Sequence, residues 1–341
     1  MNDPRPGPGG EILESKTVAE SSPDPAVPVP ARPPVATAPG APKAAFGHKA
    51  SRNVRERLVE TALFLAAFSS VAITAAIVGV LVVESAVFFR EVPFSSFLTD
   101  TQWTPLFSDA HFGILPLVSA TLVVAGIACA AAIPVGTLIA VWLSEYAPSW
   151  ARESLKPALE MLSAVPTVVY GYFALLFVTP LLQAVVPGLP GFNMLSGGLV
   201  IGLMIIPYVS SVSEDAMKAV PMHLREASYA LGATRLQTSF RVVLPAAFSG
   251  VASAFILGFS RAVGETMVVA IAAGMQPNLT FDPRQPAETI TAYIVQVSLG
   301  DLPHGSVGYQ TIFAAGLTLM CMTLVFNIAG HFLRRRFREV Y

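Results

Sequence analysis

Charge is scarce in this 341-residue chain: Asp, Glu, Lys and Arg together make up 13 % of it, while hydrophobic residues make up 53 %. Soluble domains carry about 25 % charge. With a mean hydropathy of +0.61, these values exclude a disordered protein and an ordinary soluble enzyme, and they indicate several membrane spans. Cysteine is nearly missing. Cys129 and Cys321 each sit in a long apolar run, so neither belongs to a disulfide framework or a metal cluster. The phosphate-cradling pattern G-x-x-x-x-G-K-S/T does not occur, which excludes ATP binding through a P-loop. Nor does H-E-x-x-H, and the five histidines, at 48, 111, 223, 304 and 331, are scattered. No nucleophile, base and orienting group fall at a telling spacing, and no cofactor or metal site is implied. The formal net charge of −1 gives no reason to expect a nucleic-acid partner.

What is present divides into two unlike parts. Residues 1–53 hold eleven of the 28 prolines and almost no large apolar side chains. Such a segment buries too little surface to offset its ordering entropy, which predicts a disordered tail. From Thr61 onward, six runs approach the roughly 20 apolar residues a spanning helix needs. They are Thr61–Val83, Ile114–Leu143, Met161–Gln183, Ser196–Ser213, Ala246–Met275 and Tyr309–Gly330. Prolines within several of them predict kinked helices packed on neighbours. The expected organisation is a tail (1–53), a first span with its outer loop (54–113), a core of spans two to six (114–333) and a basic end (334–341). Of 21 basic residues, Arg90 and Arg284 alone fall in the loops after odd-numbered spans, and Arg261 lies inside a span. The other eighteen sit on one side, so both termini are expected to be cytoplasmic.

Two features go beyond topology. The fourth loop, about residues 215–245, is long and polar, and Leu224, Ala227, Leu231 and Leu236 give it an amphipathic pattern that Gly232 interrupts. By periodicity alone this is equally an interfacial helix lying on the bilayer. The second feature is Arg261 and Glu265 inside the fifth span. A charge at mid-bilayer costs about 2.5–3.5 kcal/mol on insertion scales. Spaced four apart, the two share a helical face and are expected to pair, although Arg before Glu is the less favourable order. Gly250, Ala254, Gly258 and Ala262 form a small-residue stripe suited to close helix packing. One reading is a structural ion pair. The other is an anion site, since arginine grips phosphate-type oxyanions through planar bidentate bonds. A neighbouring carboxylate then suits a substrate that brings a proton, as hydrogen phosphate does and sulfate does not.

The residues Glu226-Ala227, Gly232 and Leu244-Pro245 resemble the EAA loop of the membrane subunits of bacterial ABC importers. Further stretches look like phosphate-specific permeases of the PstC type: Phe97-Leu98-Thr99, Trp103 to Phe107, Gly113 to Pro116, Ser144 to Pro148, Val165 to Gly171 and Arg261 to Met267. The resemblance runs from about residue 54 to the C-terminus. It implies an all-α, six-span permease of type I importer architecture in the bacterial plasma membrane, with no ATPase site of its own. Glu226, Ala227, Gly232, Leu244 and Pro245 would couple it to two ATPase subunits. A homologous second permease would complete the pathway, and an extracytoplasmic phosphate-binding protein would deliver phosphate. Arg261, Glu265 and Thr266, with Thr167 and Tyr170 beyond the Pro166 kink, are the expected pathway residues, although such hydroxyls bond as often to a neighbouring backbone carbonyl. Glu214 and Asp215 read as a solvated end of span four, Asn327 as an interhelical hydrogen bond, and the rings from Phe88 to Phe107 mostly as an interfacial belt. The alternatives are the same machine for sulfate, molybdate or another solute, or an autonomous transporter or channel, which has no use for an EAA loop.

Overall fold

The computed structural model describes residues 50–336 apart from 301 and 304. The proline-rich tail therefore lies, up to residue 49, outside the described residues, as do the last five positions. Two units are distinguished, Met1–Phe64 and Leu65–Tyr341. The described part of the first is the beginning of helix α1, and everything below concerns the second.

In chain order the helices are α1 (Ala50–Glu91), α2 (Phe94–Thr99), α3 (Leu115–Val141), α4 (Ser149–Ala164), α5 (Thr167–Phe173), α6 (Thr179–Val185) and α7 (Met194–Lys218). There follow α8 (Met222–Ala230), α9 (Arg235–Thr238), α10 (Leu244–Ala246), α11 (Phe248–Val263), α12 (Met267–Ala272), α13 (Ile290–Ser298) and α14 (Val307–Arg336). Turns of π-helix at Trp142–Tyr146, Ala174–Val178 and Ser239–Val243 extend α3, join α5 to α6 and join α9 to α10. Five helical segments are long and apolar enough to cross a membrane: Arg55–Glu91, Leu115–Tyr146, Thr167–Val185, Met194–Lys218 and Val307–Phe332. The count rises to six when the helix pair Arg235–Ala246 and Phe248–Val263, bent by 73°, is taken as one span.

The third expected span is cut where the sequence explains it. Val165 precedes Pro166 and takes an extended conformation, φ −64° and ψ 131°, that ends α4. Pro166 then starts α5, because a proline is tolerated before the first turn of a helix and not within it. So α4 is a separate amphipathic helix, and the span begins at Thr167.

Helix α7 lies at the centre. Asn193 caps it by accepting from Ser196 N–H at 2.8 Å. The expected stripe packs against it: a Cβ on Gly258 would lie 3.0 Å from Ile205 Cγ2, and one on Gly250 would meet Ala216. Close approach of α11 and α7 thus requires those small residues.

The aromatic residues of the outer loop depart from expectation. Phe88, Phe97 and Trp103 are buried, and only Phe94 and Phe107 point outward. Edge-to-face contacts run from Phe88 to Phe97 (5.8 Å), Phe97 to Trp103 (6.2 Å) and Trp103 to Tyr293 (5.0 Å). The rings are a folded cap held by aromatic packing, and most of them are no interfacial belt. His111 Nδ1 lies 2.8 Å from Asp100 Oδ2 at its edge. The hydrogen bond to Asp100 raises His111. Burial works to raise Asp100, but bonds from His111 and from Gln102 N–H outweigh it and hold it low. Glu288 is buried, and burial pushes its carboxyl up to about 8.

Candidate functional site

The cytoplasmic-loop candidate folds as a short helical hairpin. Helix α8 carries Glu226 and Ala227 on its exposed side, while Arg225 and Ser228 turn inward. It ends at Gly232, whose φ of +80° is the left-handed conformation that glycine adopts at little cost. Gly232 N–H donates to Tyr229 O at 2.9 Å and Ala233 N–H to Ser228 O at 3.2 Å. That pair of bonds is the Schellman ending of a helix. Thr234 and Gln237 then form a capping box that starts α9. A buried contact of 2.9 Å between Ser228 Oγ and Thr238 Oγ1 fastens the two helices together. Leu244 is half-buried in the cluster beneath, and Pro245 is exposed in the first turn of α10. Met222, Tyr229, Leu231 and Leu236 remain exposed. Gly232 therefore divides the loop into two helices as its sequence suggests, and the outer surface is apolar around Glu226.

What holds this hairpin was not legible in the loop itself. The Arg225 guanidinium lies 3.0 Å from Glu145 Oε1, with 10 % and 6 % of the two side chains exposed. It also donates to Val220 O at 2.6 Å and Met217 O at 2.8 Å. Arg225 thus ties α8 to the turn after α3 and to the end of α7. Glu145 stands in the Ser144–Pro148 stretch that carries the resemblance, eighty residues away, so only the fold joins them.

A second cluster lies beside the first. Glu214 is fully buried, with Lys156 Nζ at 2.9 Å, Arg152 Nε at 3.6 Å and Lys218 Nζ in direct contact. Asp215 takes Lys156 at 2.7 Å and remains exposed. The end of span four is thus an ion network that clamps α4 to α7, and Glu214 is no solvated helix end.

The fifth-span candidate differs from expectation in one decisive way. Helix α11 stops at Val263, and Gly264, Glu265 and Thr266 form a break before α12. Sixteen residues cover about 24 Å at 1.5 Å each, short of a hydrocarbon core of about 30 Å, so the break falls within the membrane-embedded stretch. Glu265 is off the helix, and the four-residue spacing no longer puts it on the face of Arg261. Among the described residues no ion pair joins them. The Arg261 guanidinium stacks on the Tyr208 ring of α7 at 4.6 Å instead, and its buried Nε has no hydrogen-bond partner. Glu265 is buried, and its Oε1 lies 3.5 Å from Val268 N at the start of α12. Its backbone carbonyl accepts from Thr291 Oγ1 at 2.7 Å, and Thr291 Oγ1 is 3.1 Å from Thr289 Oγ1. Thr121 Oγ1 in turn accepts from Ile290 N–H at 3.1 Å. Buried threonines thus satisfy the freed backbone and hold the break against α13 and α3.

Thr167 and Tyr170 fall on α5, which packs on α12: a Cβ on Gly171 would sit 3.1 Å from Met267 O. The Tyr170 hydroxyl donates to Leu162 O at 2.7 Å, so it serves the α4–α5 junction. Thr266 Oγ1 donates within the break, to Gly264 O at 3.3 Å. None of these residues is bonded to Arg261. Asn327 makes the interhelical contact, accepting from Ser260 Oγ at 3.3 Å.

The pattern of the family described as binding-protein-dependent transport system inner membrane component matches residues 132–339. The chain belongs to this family. A probable ABC transporter permease protein, YqgH of Bacillus subtilis, is 36 % identical over 285 residues, covering 83 % of this chain and 91 % of that one. A phosphate transport system permease protein PstC of Xylella fastidiosa is 33 % identical over 248 residues, covering 67 % and 75 %. Among solved structures, a bacterial ABC transporter for the acidic polysaccharide alginate matches with a TM-score of 0.59 over 84 % of this chain and 99 % of that one, at 17 % identity. That likeness shows the fold. The chain is therefore the multi-pass inner-membrane permease subunit of an ABC importer, all-helical with five or six spans. As the permease component it carries no ATPase of its own.

Proposed function

We infer that this permease subunit moves inorganic phosphate into the cell, driven by ATP hydrolysis on two cytoplasmic partner chains. A homologous second permease completes the pathway, and an extracytoplasmic phosphate-binding protein delivers the substrate. Both termini then face the cytoplasm, as the basic residues indicate. One observation supports the substrate more than the rest. Within the six apolar runs of the sequence Arg261 is the one Lys or Arg; it joins no ion pair among the described residues and lies in the last turn of α11, before the break. A guanidinium without an anion, held over the Tyr208 ring at 4.6 Å, is poised to take a tetrahedral oxyanion through bidentate bonds. Relatives of the PstC type are phosphate permeases by name, which favours phosphate over other anions.

Glu265 lies four residues beyond Arg261 in the sequence and leaves the guanidinium free. Its carboxylate is suited to accept a hydrogen bond from the P–OH of hydrogen phosphate as the anion passes. The exposed surface around Glu226 and Ala227, with Leu231 and Leu236 beside it, is the docking face for an ATPase subunit. Because Arg225 joins that face rigidly to α3 and α7, motion of the ATPase tilts the helices around the pathway. YqgH has no substrate in its name, so the second reading is the same machine for another oxyanion. Uptake of labelled phosphate by the reconstituted complex, with sulfate and arsenate as competitors, separates the two. Arsenate, which carries a proton as phosphate does, competes and sulfate does not; strong competition by sulfate would defeat the phosphate reading.

A further inference from the structure

At the end of the bundle where the apolar run of α14 stops, an open cleft of about 570 Å³ separates α14 from the first turns of α11. It is lined by Ser249, Gly250, Ser253, His331, Arg334 and Arg335. Among the described residues no carboxylate lines it, and neither arginine joins an ion pair. Arg334 Nη1 donates to Ser253 Oγ at 3.4 Å, while Ser253 Oγ itself donates to Ser249 O at 2.8 Å. The guanidinium is thus tethered to α11, yet its buried Nε has no partner. A buried arginine donor left unpaired is costly, and the missing partner is an acceptor. The cleft also faces the N-terminal end of α11, a sixteen-residue helix whose dipole favours negative charge. The apolar span ends at Phe332, so Arg334 and Arg335 fall just beyond it, where the phosphate groups of a bilayer begin. Basic clusters at this level attract anionic headgroups.

We propose that this cleft is a second anion site, separate from the transport pathway, which binds a phosphate group between α11 and α14. The group comes from an anionic phospholipid or from free inorganic phosphate. Either would bridge Arg334 to the serine hydroxyls of α11 and pin the outgoing helix to the broken span. The proposal stands whatever solute the permease carries, because it uses none of the residues assigned above to the pathway.

Native mass spectrometry of the detergent-purified complex, with dioctanoyl phosphatidylglycerol or dioctanoyl phosphatidylcholine, tests the lipid arm. Equilibrium dialysis with labelled phosphate tests the other. Arg334→Gln combined with Arg335→Gln is expected to weaken phosphatidylglycerol binding about tenfold or more, the size of one or two lost charge-assisted bonds, or else to remove one equivalent of bound phosphate. The arm that responds identifies the source. Arg334→Lys and Ser253→Ala keep the bundle intact and are expected to give intermediate losses. Phosphatidylglycerol binding no tighter than phosphatidylcholine binding, together with phosphate binding equal in wild type and variants, overturns the proposal.

Discussion

Replacing Arg225 with Met keeps the side-chain volume of the coupling hairpin's anchor but removes its charge and its donors. The wild-type guanidinium serves Glu145 at 3.0 Å and the carbonyls of Val220 and Met217. Taking one partner from a buried ion pair costs about 3–5 kcal/mol. The lower end applies here, because Glu145 keeps a hydrogen bond from Ser144 Oγ at 3.1 Å. The penalty falls on the attachment of α8, since other contacts of the bundle are untouched, so it appears as local opening. At 1.36 kcal/mol per factor of ten, a cost of about 3 kcal/mol raises exchange through that opening by about 150-fold. Hydrogen exchange read by mass spectrometry over peptides spanning 222–238, in the assembled complex, is the assay. Glu145→Gln is expected to have a smaller effect in the same peptides. The double variant is expected to fall short of the sum of the two, because the pair acts as a unit. Exchange that changes less than threefold in Arg225→Met would refute the anchoring role. If the anchor transmits motion, the same variant still binds the ATPase but loses most transport-linked ATP hydrolysis.

Gly232→Val places a β-branched side chain at φ +80° and is expected to cost about 1–2 kcal/mol in the Schellman turn; weaker co-purification of the ATPase, with the bundle still folded, would show it. The Asp100–His111 pair gives the outer cap a pH window. His111 is raised when folded, so its contribution is complete below its ordinary pKa and is lost as pH rises through the raised value. Asp100 is lowered, so its contribution is lost as pH falls through the depressed value. Exchange in peptides covering 97–114 is therefore expected to be slowest at mildly acid pH and to quicken toward pH 8, and His111→Gln removes that rise. Burial raises Glu288 from 4.5 to about 8, so its contribution is complete below its ordinary pKa and is lost as pH rises from there to about 8; Glu288→Gln, which stays neutral, is expected to melt with wild type at pH about 4 and increasingly above it as pH rises to about 8, which a melting series across pH would record.

The helical spans were legible because they follow from the length of apolar runs, which need no partner across the chain. The Gly232 break was legible too, since glycine at a helix end has a local conformational cause. The Arg261–Glu265 pair was not, because helical spacing presumes a continuous helix. Whether Gly264 ends it depends on buried threonines more than twenty residues onward, Thr289 and Thr291, and on Thr121 in another span. Glu214 was misread for a similar reason: its burial depends on Lys156, carried by a helix whose separation from the third span rests on Pro166. The outer aromatic rings form a cap only because Tyr293 arrives beside Trp103 from the far end of the chain.

The central claim is that Arg261 binds the transported phosphate in an ATP-driven importer. Labelled phosphate uptake into proteoliposomes, with the complete complex, its binding protein and internal ATP, measures it directly. Wild type is expected to accumulate phosphate only with ATP. Arg261→Gln is expected to reduce uptake by about 150-fold, the loss of about 3 kcal/mol of charge-assisted bonding, while assembly and ATPase docking remain intact. Arg261→Lys, which keeps the charge but not the planar fork, falls between them. Unchanged phosphate uptake by a properly assembled Arg261→Gln complex would contradict the account.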